Sequence, residues 1–377
     1  MEDFIHLHVH THYSILDGQS KIPHLVDKAV KDGMRGMAIT DHGVMYGIKE
    51  FADYCAGINK KRKKEGLEPF KPIFGCEMYV AHHRKENKSA SDGDKSGYHL
   101  IVLAKNYQGY KNLIKLVSRA WTDGFYFKPR TDRQDLEKFH EGLIVCSACI
   151  AGEVPAKILQ GDIAGAREAI EWHRRVFGED YYLEIQRHEV KDPNQRANRE
   201  TFPLQQRANK VILELAKEYG IKVVCTNDCH FEDQDTAEAH DHLLCLSTNK
   251  KLDDPTRLLY TKQEWFKTRA EMNEVFADVP EALSNTLDIL NKVEIYSIDH
   301  NAIMPFFPIP ESFGTEELWR KKYTEEELYR EFTSDENGEN PLPDEEGRKK
   351  IEALGGIDKI YRIKFEADYL AKLAYEG

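Results

Sequence analysis

The chain has 377 residues, of which 41% are hydrophobic and 31% charged, and its net charge is −12. This composition is ordinary for a globular protein, and the length suffices for one large domain with an appendage or for two domains. The 65 acidic residues against 53 basic ones exclude a generic basic nucleic-acid binder, although a nuclease whose metal ions supply positive charge stays possible.

Cellular location can be narrowed from what the sequence lacks. No apolar run approaches the roughly 18 residues of a membrane span. The first residues, MEDFIHLHVH, have neither the basic nor the apolar region of a secretory signal. Seven cysteines, an odd number in a long chain, argue against a secreted disulfide framework. We therefore expect a cytoplasmic protein with no membrane partner.

Short apolar runs alternate with helical stretches over the first 250 residues. The apolar, often β-branched or aromatic runs predict strands at Phe4–Thr11, Met34–Thr40, Pro72–Val80, Tyr98–Ala104, Leu143–Cys149, Tyr181–Gln186 and Ile221–Thr226. The stretches between them predict helices at Ile22–Lys31, Gly47–Lys64, Tyr107–Trp121, Ile163–Phe177 and Leu204–Tyr219. This alternation predicts a mostly parallel sheet covered by helices. Because no G-x-G-x-x-G turn is present, an α/β barrel is favoured over a dinucleotide-binding sheet.

Three segments depart from this alternation. Residues 82–97 contain almost nothing apolar and predict a mobile loop that could cover a site. The three prolines of Asn301–Pro310 predict a linker that leaves the first domain near residue 300. Residues 331–347 are acidic and rich in proline and glycine, which predicts a flexible surface excursion. The remaining segment, Thr315–Gly377, is helical and charged, and we expect the chain to be cut from a longer one.

Metal-ligating residue types recur at the ends of the predicted strands. The first strand reads His6-Leu7-His8-Val9-His10, and strand geometry places its three histidines on one face. Later strand ends carry Asp41 and His42, Glu77, Cys149, and Asp228 and His230. His99 instead opens its strand, which we explain by a strand of opposite direction. Since α/β barrels build active sites at the C-terminal ends of their strands, this recurrence predicts a metal site there.

The cysteines offer a competing metal site. Cys146 and Cys149, together with Cys225 and Cys229, resemble the paired spacing of structural zinc sites. Residues three apart on a strand point to opposite faces, however, and the run before Cys149 is apolar. We therefore expect Cys149 to be a ligand at its strand end. We expect four other cysteines to fill core or near-core positions, namely Cys76, Cys146, Cys225 and Cys245.

The ligand set is mixed and too large for a single ion. Imidazoles, carboxylates and one thiolate suit two or three divalent ions that share bridging carboxylates. Such clusters activate water and hold the oxygens of a phosphoryl group, which predicts hydrolysis of a phosphate ester. No Walker A loop, G-x-S-x-G or H-E-x-x-H motif points to another chemistry. Imidazole and thiolate favour zinc, while the carboxylates also admit manganese or magnesium.

A series of motifs in the chain resembles a known family. The motifs are HLHVHTHYSILDG, AITDHGVMYG, PIFGCEMYV, YHLIVLAKN, FYFKPR, LIVCSACIAGE, YLEIQRH and VVCTNDCHF. Their order and spacing resemble the polymerase-and-histidinol-phosphatase (PHP) domain, in the version found at the N-terminus of bacterial replicative DNA polymerase III alpha subunits. The resemblance implies a distorted (β/α)7 barrel at residues 1–300. For residues 301–377 it implies a linker and the incomplete beginning of a polymerase palm.

The resemblance also implies which side chains hold the metals. Carried over position by position, the ligands are His8, His10, Asp17, His42, Glu77, His99, Cys149, Asp228 and His230. Asp17 rests on the resemblance alone, and Glu77 would be the bridging carboxylate. The residues expected to act in catalysis are His8, His10, Glu77, Asp228 and His230. Every ligand position holds a competent residue, which favours a working site.

Basic residues near these motifs are candidates for holding a phosphodiester. We expect Lys128, Arg130 and Arg187 to be phosphate or DNA contacts, against the alternative that they are ordinary surface residues. His6, Asp41, Arg119 and His188 are further candidates for a role at the site.

Three functions compete at this point. The first is a metal-dependent 3′-5′ proofreading exonuclease in DNA replication, with a DNA 3′ end as substrate and the remaining polymerase chain and other replisome subunits as partners. The second is a structural domain that bound metal ions stabilise and that supports the polymerase without catalysis of its own. The third is a small-molecule phosphatase of the same family, which the segment after residue 300 argues against. Because the family's palm carboxylates lie beyond this sequence, we expect no polymerase activity from it.

Overall fold

The computed structural model describes residues 1–89, 96–190, 195–300, 307–334 and 341–377. The chain divides into two compact units, Met1–Asp299 and His300–Gly377. Their assignment to a PHP barrel and to the beginning of a palm stays a prediction. Parts of the predicted loop 82–97, linker 301–310 and excursion 331–347 lie outside the described residues. No helix of the described ranges is long and apolar enough to cross a membrane.

The strands of the first unit are β1 (Gly36–Ile39), β2 (Lys71–Val80), β3 (Tyr98–Ala104), β4 (Phe125–Tyr126), β5 (Lys128–Thr131), β6 (Leu143–Cys146), β7 (Tyr181–Ile185) and β8 (Val223–Cys225). Its helices are α1 (Ile22–Lys31), α2 (Ile48–Lys64), α3 (Tyr107–Thr122), α4 (Arg133–Lys138), α5 (Glu153–Gln160), α6 (Ile163–Phe177), α7 (Arg196–Tyr219), α8 (Ala237–Thr248), α9 (Arg269–Val275) and α10 (Pro280–Lys292). Short 3₁₀ turns lie at Gly178–Asp180 and Gln234–Thr236.

The sheet is mostly parallel, with one reversed strand. β1 pairs with β2, and β6, β7 and β8 pair in turn, all in parallel. β3 lies antiparallel between β2 and β6, which is the direction expected for the strand that opens with His99. β5 adds to β2 in parallel and forms a small hairpin with β4.

The N-terminal segment closes this sheet into a barrel. On one side, the amides of Ala38 and Thr40 donate to the carbonyls of His6 and Val9, each at 2.8 Å. On the other side, the His10 amide donates to the Cys229 carbonyl at 2.7 Å, and the Cys229 amide donates to the His8 carbonyl at 3.1 Å. Residues 6–10 therefore lie between β1 and the segment that follows β8. The predicted α/β barrel architecture is confirmed.

The core lies between the barrel and the helices around it. Leu7 and Val9 of the closing segment are fully buried, and so is every residue of β6. α1 buries Ile22, Leu25, Val26 and Ala29, the i, i+3, i+4, i+7 spacing that places apolar side chains on one helix face.

α7 is longer than the sequence predicts. The apolar stripe predicts a helix that begins at Leu204, directly after Pro203, and proline disfavours a helix interior. The structure starts α7 at Arg196 and keeps Pro203 inside it. Contacts on both sides of the proline account for this, because Asn198 accepts from the Val190 amide at 3.0 Å and Gln205 accepts from the His188 amide at 2.8 Å.

The second unit is a small helical assembly with a core of its own. Its helices are α11 (Glu316–Lys322), α12 (Glu325–Thr333), α13 (Asp344–Ala353) and α14 (Ile357–Glu376). Leu328, Ile351, Ile360 and Tyr361 are buried between them. The Trp319 indole donates to the Asp368 carboxylate at 2.9 Å, which ties α11 to α14.

Candidate metal centre

The predicted ligands converge at one end of the barrel. His8 and His10 lie on the closing segment, His42 follows β1, Glu77 lies in β2 and His230 follows β8. Four of these five side chains are almost completely buried, and His42 is partly exposed. Since loops and strand ends from all round the barrel meet here, the fold itself brings residues that are far apart in sequence into contact.

Three groups of side chains could each hold an ion. The groups are His8, His10 and Asp228; His10, Asp17, His42 and His230; and His42, Glu77 and His99. Within each group the candidate ligand atoms lie within 4.8 Å of one another. His10 and His42 each belong to two groups, which therefore form one continuous centre.

His8, His10 and Asp228 form the most deeply buried group. Asp228 Oδ1 lies 3.0 Å from His8 Nε2 and 3.2 Å from His10 Nε2. Asp17 joins the second group from a loop, with Oδ2 at 2.9 Å from His42 Nε2 and 3.2 Å from His230 Nε2. Asp17 thus lies within the cluster, where the resemblance to the family places it.

Glu77 lies at the middle of the centre. Its Oε2 is 2.7 Å from His42 Nδ1 and 3.2 Å from His10 Nε2. Its Oε1 is 2.8 Å from His99 Nδ1 and 3.4 Å from His8 Nε2. A carboxylate with two oxygens directed at different imidazoles has the geometry that a bridging ligand needs.

Cys149 stands at the edge of the third group. Its Sγ lies 3.6 Å from His99 Nδ1 and 4.0 Å from Glu77 Oε1. Burial, followed by the charge of Glu77, raises the pKa of this thiol well above its usual range. Cys76, Cys146 and Cys225 are buried, whereas Cys245 is only partly buried. The competing site of paired cysteines is not among the metal-binding groups of the described chain.

The residues fit divalent cations because several buried polar atoms lack a hydrogen-bond partner. These atoms are His8 Nε2, His10 Nε2, His42 Nδ1, Glu77 Oε2 and Asp228 Oδ1. They approach one another without hydrogen-bond geometry, although an unmade hydrogen bond costs a buried group about 1–3 kcal/mol. Metal coordination by imidazole nitrogen and carboxylate oxygen would satisfy all of them.

The charges in the centre explain its pKa shifts. Burial by itself would lower the pKa of His42, but Glu77 and Asp17 outweigh it and raise that pKa to about 10. Burial is likewise outweighed at His230, where Asp17 and Asp228 raise the pKa to about 9. The imidazoles in turn hold the pKa of Glu77 well below its usual range, against the effect of burial. The carboxylates thus create a field that favours positive charge, as protons or as metal ions.

Glu184 and Ser14 orient the imidazoles of His8 and His10 through contacts with their Nδ1 atoms. Neither residue was predicted from the sequence. Glu184, fully buried in β7, accepts from His8 Nδ1 at 2.8 Å. Ser14 Oγ lies 3.0 Å from His10 Nδ1 and donates to Asp41 at 2.9 Å. Such contacts fix the ring orientation of metal-ligating histidines and strengthen their ligation. An acidic residue inside the apolar run YYLEI was the available signal for Glu184.

Three of the six non-glycine residues with left-handed backbone in the described chain lie at or beside the ligands. Asp228 itself has a φ of 47°, Ala148 before Cys149 has 61°, and Leu16 before Asp17 has 61°. Left-handed backbone is unfavourable for residues other than glycine and is retained mostly at functional sites. At Ala148 it ends β6 earlier than predicted and turns Cys149 towards His99.

The predicted phosphate contacts have different surroundings. Exposed Lys128 lies on the rim, with Nζ 5.3 Å from the centre of the Tyr79 ring, which in turn packs against His42 and His99. Arg130 is fully buried and donates to the carbonyls of Lys85 and Asn87 at 3.2 and 2.9 Å. Its prediction as a phosphate contact is therefore wrong, because its guanidinium is engaged inside the protein.

Other candidates lie apart from the three metal groups. Arg187 forms a two-point ion pair with Asp278, at 2.5 and 2.9 Å, and lines a cavity of about 990 Å³ that none of the predicted ligands lines. His6 Nε2 is 2.7 Å from the Lys267 carbonyl, and His188 Nε2 is 3.1 Å from the Asn227 carbonyl. Arg119 pairs with Asp135 at 2.9 Å. These residues have protein partners of their own, and of the further candidates only Asp41 supports a ligand.

Comparison with known proteins adds to this geometry. A family model, the PHP domain, matches residues 6–188. DNA polymerase III subunit alpha of Borreliella burgdorferi is 42% identical over 314 residues, and that of Treponema pallidum is 37% identical over 328. These alignments cover 83% and 86% of this chain. The chain spans about a quarter of the length of these curated relatives, since each alignment covers 26% of the relative.

Similarity to solved structures is weaker. A protein from Bifidobacterium adolescentis, assigned to the metal-dependent phosphoesterases, matches 60% of this chain and 88% of its own length, with 16% identity and a TM-score of 0.34. A two-domain protein from Bacteroides vulgatus with a PHP-like region matches 80% of this chain and 75% of its own, with 13% identity and a TM-score of 0.30.

Proposed function

Since residues 6–188 of the chain form a PHP domain, we propose that its metal centre hydrolyses phosphodiesters, and that its substrate is the 3′ end of a DNA strand. The observation that carries the proposal is the set of converging buried imidazole and carboxylate atoms without hydrogen-bond partners. Two or three divalent ions, zinc by ligand type, fit this set, with manganese or magnesium as alternatives.

Divalent cations held here would supply Lewis-acid catalysis, by activating water and neutralising the charge that develops on a phosphoryl group. The chain's own residues hold and orient the site. Glu77 and Asp228 keep the imidazoles of His8 and His10 directed at one point. Tyr260 is partly buried, with its hydroxyl 3.3 Å from His230 Nε2, and burial keeps its pKa well above the usual range. It therefore stays protonated as a hydrogen-bond donor near neutral pH.

The relatives support DNA as the substrate. Both curated relatives described above are DNA polymerase III subunit alpha. We accordingly propose that the chain works in DNA replication as the PHP part of such a subunit, removing 3′-terminal nucleotides. The remaining polymerase chain and other replisome subunits are the proposed partners.

The test is 3′-end trimming of single-stranded DNA by wild type, His10→Ala and His230→Ala, with added zinc or manganese. We expect wild type to trim and both variants to lose kcat by at least about a hundredfold, since the ligands serve the chemical step. His140→Gln, at an exposed histidine in no metal group, is the matched control and should keep full activity. Low salt and high enzyme are needed, because a chain of charge −12 binds DNA weakly.

Two other outcomes would replace this function. Equal trimming by wild type and His10→Ala would show a contaminating nuclease and leave the structural, metal-stapled domain as the function. A wild type that fails on DNA but cleaves small phosphomonoesters, in a manner dependent on His10, would establish the small-molecule phosphatase.

A further inference from the structure

A hairpin beside the metal centre exposes aromatic side chains to solvent. β4 and β5 form this hairpin, with Phe127 at its tip in left-handed backbone, φ 59°. Phe125 is 45% exposed and Phe127 is 63% exposed. Trp121, at the end of α3, is 42% exposed and stacks on Phe125 with ring centres 5.4 Å apart. Contiguous exposed apolar patches, unlike singly exposed rings, mark interaction sites.

Buried contacts hold the hairpin in this orientation. Tyr126, between the exposed Phe125 and Phe127, is partly buried, and its ring meets the Phe127 ring edge-on with the ring centres 4.8 Å apart. The Arg130 guanidinium lies 5.2 Å from the centre of the Tyr126 ring, and its Nε donates to the Gly124 carbonyl at 3.4 Å. Arg130, buried and inaccessible to phosphate, thus acts as the anchor of the exposed rings.

The hairpin is continuous with the metal centre. The Trp121 indole donates at 2.8 Å to the carbonyl of Gly43, which directly follows His42. A Cβ on Gly43 would lie 2.7 Å from Pro129 Cγ, so the hairpin and the His42 loop are in close contact. β5 also pairs with β2, the strand that carries Glu77. A ligand on the aromatic rings would therefore lie beside the loop that carries His42 and the strand that carries Glu77.

We propose that Phe125 and Phe127, with Trp121 behind Phe125, form a stacking platform for the bases of single-stranded nucleic acid entering the metal centre. This proposal rests on the proposed function and names how its substrate is held. Flat exposed rings bind bases irrespective of sequence, because every base has a π-face. Lys128, next to Phe127 and above Tyr79, supplies a positive charge for the backbone phosphate. Stacking also suits a chain whose charge of −12 opposes electrostatic binding.

The experiment measures binding by fluorescence anisotropy with two labelled probes. One is (dT)10, and the other is an abasic decamer with the same number of phosphates. Both carry phosphorothioate terminal linkages so that cleavage does not consume them. Wild type should bind (dT)10 at least about tenfold more tightly than the abasic probe, and Phe125→Ala/Phe127→Ala should lose that preference. Because only binding is measured, failure of the proposed hydrolysis would not affect this result.

Two variants sharpen the test. Tyr107→Ala removes a ring of similar exposure, 44%, from the other end of α3, about 21 Å away, and should bind like wild type. Phe125→Leu/Phe127→Leu keeps apolar area without a π-face and should lose the preference as the alanine variant does. Equal binding of both probes by wild type would overturn the proposal. Full retention by the leucine variant would also overturn it, and would identify an apolar surface suited to a protein partner.

Discussion

At the scale of single residues, the contact between Glu184 and His8 has a measurable consequence. Glu184→Gln keeps the shape of the side chain but replaces the carboxylate that accepts from His8 Nδ1. We expect metal affinity to fall by about 10- to 100-fold, because the ring loses its charged orienting partner. Competition with a chelating dye measures this. Glu179→Gln, at an exposed acid just before β7, should leave the affinity unchanged.

A substitution at Lys128 should affect substrate binding and leave the chemical step almost unchanged. It lies on the rim of the centre rather than among the ligands, so Lys128→Ala should raise KM for single-stranded DNA about threefold to tenfold with little change in kcat. Steady-state trimming kinetics measure both constants, with exposed Lys111→Ala as the control. A fall in kcat at constant KM would place Lys128 in the chemical step instead.

Most of the predicted ligands that the structure brings together could be grouped from the sequence for a physical reason. Parallel strands of a barrel end at the same rim, so ligand types at the ends of β1 and β8 are expected to meet. Glu184 could not be found this way, because it lies inside β7 and acts on His8 through packing. Arg130 was misjudged for the converse reason: the sequence shows its charge, whereas only the fold shows its burial.

At the scale of elements, the loop after β2 is held by a buried ion cluster. Lys85, 1% exposed, lies 3.0 Å from Asp135 and 3.9 Å from Asp132, both of which are buried. Sequence reasoning expected a mobile loop here because residues 82–97 are polar. The described residues of this segment, 82–89 and 96–97, instead include this anchor, since polar side chains can be buried when they pair with one another.

Lys85→Met tests this anchor. The substitution removes the ammonium from Asp132 and Asp135, which keep Arg84 and Arg119 as partners, so we expect the free energy of unfolding to fall by about 1–2 kcal/mol. Urea denaturation measures the change. Exposed Lys88→Met, on the same loop, should shift the midpoint little, and an equally small shift for Lys85→Met would refute the anchoring role.

The bounds of helices and strands were predicted well where the hydrophobic periodicity was strong. They were predicted poorly where tertiary contacts determine where an element begins. α1 and α6 begin and end where the sequence predicts. The closing segment, residues 6–10, has strand-like partners on both sides because it completes the barrel. The start of α7 could not be predicted, since the bonds of Asn198 and Gln205 to the chain around residues 188–190 offset the cost of Pro203.

At the scale of the whole molecule, a buried histidine makes stability depend on pH. Burial lowers the pKa of His173, which lies in α6 and packs on Tyr181 of β7. The folded state therefore binds fewer protons than the unfolded state, whose histidine pKa is about 6.5. The contribution of His173 to the free energy of unfolding is fully present above that pH. It is lost as the pH falls through and below that value, by at most about 1.4 kcal/mol per pH unit.

His173→Phe should remove this contribution. Urea midpoints between pH 7.5 and 4.5 should show a shallower acid slope for the variant than for wild type. Exposed His140→Gln is the control, and its slope should match that of wild type. If the urea midpoints of His173→Phe and wild type fell with the same slope at acid pH, another group would be responsible for the loss of stability in acid.

The central claim is that side chains from all round the barrel form one divalent-metal centre. The most direct measurement is elemental analysis of purified protein, paired with its melting temperature before and after chelation. We predict two or three divalent ions per wild-type chain, clearly fewer for Glu77→Gln, and a fall in melting temperature of several degrees on metal removal, because metal bound only to the folded state stabilises it. Wild-type protein that binds no divalent ion on reconstitution, with a melting curve that chelator leaves unchanged, would contradict the account.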